Sequence, residues 1–192
     1  MTRDELARAL SDAAYLEGDF VLRSGRRSKY YLDKYRFETR PDLLAPLGRA
    51  IADAVREHDP EATRLAGPEL GAVALAAAAS LESGLPFLIV RKEAKDYGTS
   101  KRLEGVFQEG ERVCLIEDVV TTGGALLDAI EAVREAGLEC RIAVCVLDRE
   151  EGGADALARR GVRLVPLFRA GDLLPAQKTA AKPHVEPKQL GC

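Results

Sequence analysis

Val113-Cys114-Leu115-Ile116-Glu117-Asp118-Val119-Val120-Thr121-Thr122-Gly123-Gly124-Ala125 is the stretch on which the reading of this chain turns. The pattern predicts a buried strand over Arg112–Glu117 that ends in two adjacent carboxylates. A turn of hydroxyls and glycines follows at Thr121–Gly124, and a helix over Ala125–Glu135, stopped by Gly137. In a parallel sheet this junction lies at the carboxyl end of a strand, where α/β proteins bind ligands. The glycines let backbone approach a ligand closely. The N–H groups of the first helical turn, with the Thr121 and Thr122 hydroxyls, make an anion cradle. Glu117 and Asp118 repel a phosphate, so they suit sugar hydroxyls or a magnesium ion that accompanies a polyphosphate. The bland alternative is a helix N-cap beside exposed acids; the acid pair directly before the turn weighs against it. The segment is neither a Walker loop nor a dinucleotide fingerprint.

Working outward, the chain alternates strands and helices. Apolar residues at Leu6, Ala9, Leu10, Ala13 and Ala14 predict a helix over Thr2–Leu16. Asp19–Leu22 and Ser28–Asp33 read as a hairpin around the turn Ser24-Gly25-Arg26-Arg27. A helix starts near Pro41, and Leu43, Leu47, Ile51 and Val55 mark its buried stripe. Strands are expected at Thr63–Ala66, Pro86–Val90, Arg141–Leu147 and Arg163–Phe168, with helices to about Ser83 and over Ala154–Arg160. Such alternation implies a parallel sheet covered on both faces. The expected organisation is one domain over residues 1–174, with a small N-terminal hood at 1–35 and a loosely ordered tail from Pro175. Arg91–Gln108 is a long polar stretch between two buried strands, and connections of that length often serve as active-site lids.

Composition sets limits on function. The 192 residues suit one α/β domain, and 46% are hydrophobic and 31% charged, as in ordinary folded proteins. The net charge of −3 gives no general pull toward nucleic acid or acidic membrane, so anion binding must be local. The start lacks an apolar signal core and no apolar run reaches membrane length, so a cytoplasmic protein is expected. Four cysteines without a C-x-x-C pair, and two histidines, argue against structural zinc. Cys114 and Cys145 lie in apolar runs and read as buried reduced thiols.

The segment from Cys114 to Ala129 resembles the ribose-phosphate motif of the type I phosphoribosyltransferases. That resemblance implies their fold: a central parallel sheet flanked by helices, under a small N-terminal hood. It also implies that Glu117 and Asp118 engage ribose hydroxyls, while Thr121, Thr122, Gly123, Gly124 and Ala125 hold the sugar phosphate, and that Val119 and Val120 take part in binding phosphoribosyl pyrophosphate. Three further segments are similar to the orotate phosphoribosyltransferases in particular. They are Gly18–Asp33, which resembles the hood over the base; Arg91–Gly98, which resembles the mobile catalytic loop; and Val146–Gly153, whose arginine contacts the orotate ring. The similarity runs from about Gly18 to Leu174.

By this resemblance Lys92, Lys95 and Asp118 are the catalytic residues. Arg91, Tyr97, Arg23, Glu69 and Leu70 join Lys92, Lys95 and the ribose-phosphate segment in holding phosphoribosyl pyrophosphate, and Thr121, Arg149, Tyr31 and Leu32 contact orotate. Magnesium is the implied cofactor. The diphosphate is expected to hold it, with help from Glu117 and Asp118, and no dedicated protein site is expected. A homodimer sharing its mobile loops is implied, with no nucleic acid or membrane partner. The chain departs from the pattern at Tyr97, where many orotate enzymes carry histidine, and at Glu69-Leu70, where some relatives carry Tyr-Lys. Two rival readings are a purine phosphoribosyltransferase, which would not need Arg149, and a non-catalytic regulator on the same fold, which would not need the basic lid.

Overall fold

α1 (Arg3–Ala14) begins at a capping box, in which Glu5 N donates to Thr2 Oγ1 at 3.3 Å and Thr2 N to Glu5 Oε2 at 2.7 Å. Two otherwise orphaned donors are thereby satisfied. The helix stops at Ala14, short of the expected Leu16, because Tyr15 and Leu16 pair with Leu32 and Tyr31 across a hairpin. That hairpin, β1 (Tyr15–Val21) and β2 (Arg27–Leu32), forms a separate two-stranded antiparallel sheet. The computed structural model describes residues 1–21, 27–93 and 102–173. Arg23 and the turn residues Ser24, Gly25 and Arg26 lie outside them, as does the tail from Pro175.

After the hood come α2 (Tyr35–Glu38), α3 (Pro41–His58), β3 (Arg64–Pro68), α4 (Gly71–Ser83) and β4 (Phe87–Val90). They are followed by β5 (Leu103–Glu104), β6 (Val113–Val120), α5 (Gly124–Glu135), β7 (Ile142–Asp148), α6 (Gly153–Ala158), β8 (Arg163–Arg169) and α7 (Ala170–Leu173). The main sheet has the order β5-β4-β3-β6-β7-β8 and is parallel except for β5, which runs antiparallel to β4. The polar stretch Arg91–Gln108 therefore contains a two-residue strand that its composition does not announce. The chain winds outward from β3 to β4 in one direction and from β6 through β7 to β8 in the other. The crevice between the carboxyl ends of β3 and β6 is a topological switch point, the position where open α/β sheets bind ligands.

Both faces of the sheet are buried. Cys114 and Ile116 of β6, with Val144 and Val146 of β7, pack under α1, α3 and α4. Leu115 of β6, with Ala143 and Cys145 of β7, packs under α5 and α6. The two-residue alternation of side chains along a strand makes this division. Cys114, Cys140 and Cys145 are unpaired and buried, and burial pushes their thiols up, that of Cys140 to about 12, so they offer no nucleophile.

Candidate active site

β6 does not end at its acids. It runs on through Asp118 to Val120, so Glu117 and Asp118 lie inside the strand and are 7% and 2% exposed. This corrects the expected strand boundary. Pairing with β7 continues to Val120↔Asp148, which keeps the strand extended past the carboxylates. The turn then descends to Gly123, whose φ of 84° only glycine adopts readily. A Cβ on Gly123 would meet Leu157 Cδ1 at 2.8 Å, so this residue faces α6, not open space. A Cβ on Gly153 would meet Val120 Cγ1 at 2.4 Å, and Gly153 N donates to Thr121 O at 2.9 Å. α6 is thus pressed against the turn and fixes its shape. By contrast, a Cβ on Gly124 would meet nothing within 4 Å. The first turn of α5 carries no acid, so its partial positive charge and free N–H groups face outward uncompensated.

This turn forms one wall of a cleft of about 820 Å³. Thr121, Thr122, Gly124 and Ala125 line it from the turn, with Asp128 and Ala129 one helical turn deeper. Pro68 and Glu69 line the β3 side, and Arg91, Lys92 and Arg102 the β4–β5 side. Arg149 with Glu151, and Tyr31 from the hood, complete the lining. Lys92 N donates to Glu69 Oε1 at 2.8 Å, Glu69 N to Val90 O at 2.8 Å, and Arg91 N to Arg102 O at 2.8 Å. These bonds stitch the loop after β3 to both ends of the β4–β5 connection. Arg149 follows β7; its N–H donates to Val120 O at 2.9 Å, and its guanidinium pairs with Glu151 at 3.1 Å. Asp148 Oδ1 accepts from Glu150 N at 2.8 Å, which supports the left-handed Glu150 (φ 57°) and the turn that presents Arg149.

Beneath this cleft lies a buried charge cluster. Lys34 Nζ meets Asp118 Oδ2 at 2.5 Å, and Val119 N donates to Asp118 Oδ1 at 2.5 Å. Asp118 N donates to Glu117 Oε1 at 3.0 Å. Burial opposes the Lys34 charge, but attraction to Asp118, with Glu38 and Glu117 beyond, holds its pKa above the ordinary value. Glu38 and Glu117 are each pushed up from 4.5 to about 8, first by burial and then by the charge of Asp118, with Lys34 opposing. Because these folded-state values exceed the unfolded ones, the stability they contribute is present below pH 4.5 and lost as pH rises through about 8. The Tm is therefore expected to fall between about pH 5 and pH 9, and Glu38→Gln to remove part of that fall. Circular-dichroism melts across this range check it; an identical pH slope in the variant would contradict it.

The model of the phosphoribosyl transferase domain matches residues 36–159. The orotate phosphoribosyltransferase of Methanocella arvoryzae is 52% identical over 158 residues, covering 82% of this chain and 88% of that protein. That of Halobacterium salinarum is 46% identical over 175 residues, covering 91% and 98%. The chain belongs to the orotate phosphoribosyltransferases. A crystal structure of the Mycobacterium tuberculosis H37Rv orotate phosphoribosyltransferase, in complex with 5-phospho-alpha-D-ribosyl 1-diphosphate, superposes with a TM-score of 0.76 at 31% identity. It covers 89% of this chain and 98% of that one.

Among the residues that the resemblance to orotate phosphoribosyltransferases singles out, the cleft brings together Tyr31, Glu69, Arg91, Lys92, Thr121, Thr122, Gly124, Ala125 and Arg149. It does not bring in the others that are described. Glu117 and Asp118 lie off its lining and accept hydrogen bonds from Asp118 N and Val119 N. Val119 and Leu32 pack against one core, Val120 is buried in the other, and Leu70 is 72% exposed outside the lining. Lys95 and Tyr97 lie outside the described residues. Sequence reasoning missed Arg102 and Asp128 in the cleft, and Lys34 and Glu38 beneath it. The signal for Lys34 and Glu38 was faint: a lysine and a glutamate just after the tyrosine-rich strand of an orotate phosphoribosyltransferase hood. Among the described residues no three His, Cys, Asp or Glu side chains are placed to hold a metal. Lys34 Nζ and Val119 N each bond one oxygen of Asp118, and Asp118 N bonds Oε1 of Glu117.

Proposed function

We propose that this chain transfers the phosphoribosyl group of 5-phospho-α-D-ribose 1-diphosphate to orotate, giving orotidine monophosphate and pyrophosphate, a step of pyrimidine synthesis. The observation that supports it is one cleft lined by an acid-free helix N-terminus, by Arg91, Lys92 and Arg102, and by Arg149 and Tyr31. The Thr121–Ala125 turn receives the 5-phosphate. The cationic wall receives the diphosphate, which brings magnesium with it as part of the substrate. Arg149 offers its planar fork to the orotate carboxylate, which a guanidinium matches bidentately.

During transfer the C1–O bond to pyrophosphate breaks and takes its electron pair with the leaving group, and the base nitrogen supplies the pair for the new C1–N bond. Positive charge grows on the ribose and negative charge on the pyrophosphate, so the protein contributes preorganised charge, not a nucleophile. Lys92, on the cleft lining, is assigned to the leaving group, and the family resemblance assigns Lys95 to the same role and Arg23 and Tyr97 to the same substrate. Keeping water from C1 matters because water competes with orotate for it. We also propose that the enzyme works in the cytoplasm as a homodimer, each copy lending its 91–108 loop to the other.

The test is loss of orotate absorbance with purified protein, phosphoribosyl pyrophosphate and magnesium. Turnover that stops without magnesium and falls sharply in Lys92→Ala and Lys95→Ala is expected. Turnover of adenine, hypoxanthine or guanine in place of orotate would overturn the substrate. Binding of phosphoribosyl pyrophosphate with no turnover of any base would make the chain a regulator.

A further inference from the structure

We infer that Lys34 is a positioning residue whose ion pair with Asp118 joins three of the segments that line or lead into the substrate cleft. This rests on the proposed function, since it concerns how that site is held together. Three segments meet at the pair. Lys34 follows β2, whose Tyr31 lines the cleft from the hood. Asp118 belongs to β6, which leads directly into the Thr121–Ala125 turn. Gly71 opens α4 just after Glu69, the lining residue of the β3 side. A Cβ on Gly71 would lie 2.0 Å from Asp118 Oδ2 and 3.0 Å from both Lys34 Nζ and Glu38 Oε2. The loop after β3 is therefore seated directly on the ion pair, and only glycine leaves the space for it.

The pair also orients Asp118. Each of its oxygens accepts a bond, one from Lys34 and one from Val119 N, and its side chain is buried. A carboxylate held this way fixes the backbone at Val119, two residues ahead of Thr121. α2 is four residues long, and Asp33 N donates to Ala14 O at 2.9 Å, which joins the hairpin to α1. Without the Lys34 ammonium, Asp118 would sit among Glu38 and Glu117 with no cation, and the hood would lose its anchor to the ribose strand. A structural ion pair alone would change only how much protein folds. A positioning role changes what the folded protein binds.

The experiment measures Tm, the Kd of phosphoribosyl pyrophosphate by calorimetry, and kcat and KM with orotate. It uses wild type, Lys34→Gln, Lys34→Arg, Asp118→Asn and the double variant Lys34→Gln/Asp118→Asn, well below each Tm. Lys34→Gln is expected to raise the Kd and the orotate KM about tenfold while kcat falls less than about threefold. Lys34→Arg keeps the charge but not the shape and is expected to raise both about threefold. The double variant should bind no worse than Asp118→Asn, since Lys34 acts through that carboxylate. A lower Tm with wild-type Kd and KM would overturn the inference, as would full additivity in the double variant. If Lys34→Gln does not fold, wild-type constants in Lys34→Arg would overturn it. If wild type fails to use orotate, the proposed function fails, while the Kd series still decides the role of Lys34.

Discussion

Gly124→Asp is expected to weaken binding of phosphoribosyl pyrophosphate about 100-fold, equivalent to roughly 2.8 kcal/mol, without loss of stability. The position has room, since a Cβ there meets nothing within 4 Å, and it opens α5 with no acid in the first turn. A carboxylate at a helix N-terminus stabilises by about 0.3–1 kcal/mol. The same carboxylate would occupy the cradle formed by the α5 N–H groups and Thr122, and would repel the phosphate meant for it. The substitution therefore separates folding from binding. Calorimetric titration beside a thermal melt checks it, with Gly124→Ala as the control for bulk. Binding within threefold of wild type in a stably folded Gly124→Asp would remove the phosphate from this wall of the cleft.

Arg149→Ala is expected to act on the other substrate alone. Arg149 is half-buried at the end of β7, and among the described residues its guanidinium pairs with Glu151, itself on the cleft lining. Losing a charged partner from a desolvated pair costs about 2–4 kcal/mol, so the orotate KM should rise roughly 30- to 1000-fold. The Kd of phosphoribosyl pyrophosphate should stay within about twofold, because the phosphate cradle is formed by different residues. Arg149→Lys keeps the charge but loses the fork, and should recover only part of the loss. Equal damage to both substrates would place Arg149 on the phosphate side.

Much of this could be read from the chain because its signals are local. The apolar run of β6, the Thr121–Gly124 turn and the helix that follows are contiguous, so composition and spacing locate the phosphate wall. Pro41 and the stripe from Leu43 to Val55 likewise give α3 its start and its buried face. What escaped depends on partners distant in sequence. Lys34 and Asp118 are 84 residues apart, and nothing near either one announces the other. β5 is a strand only because Leu103 and Glu104 meet Val90 and Ile89. The extension of β6 past its acids comes from continued pairing with β7, which overrides the reluctance of two carboxylates to be buried. Leu32 alternates into the core, while Tyr31, one residue earlier, points to the cleft.

The short strand β5 has one more effect. Together with the Arg91 N–Arg102 O bond it sets Arg91 and Arg102 side by side on the lining of the cleft. The bond is made by backbone atoms, so it outlasts substitution of either side chain. The charge on that side of the cleft can therefore be altered one residue at a time, with the backbone spacing between the two positions kept.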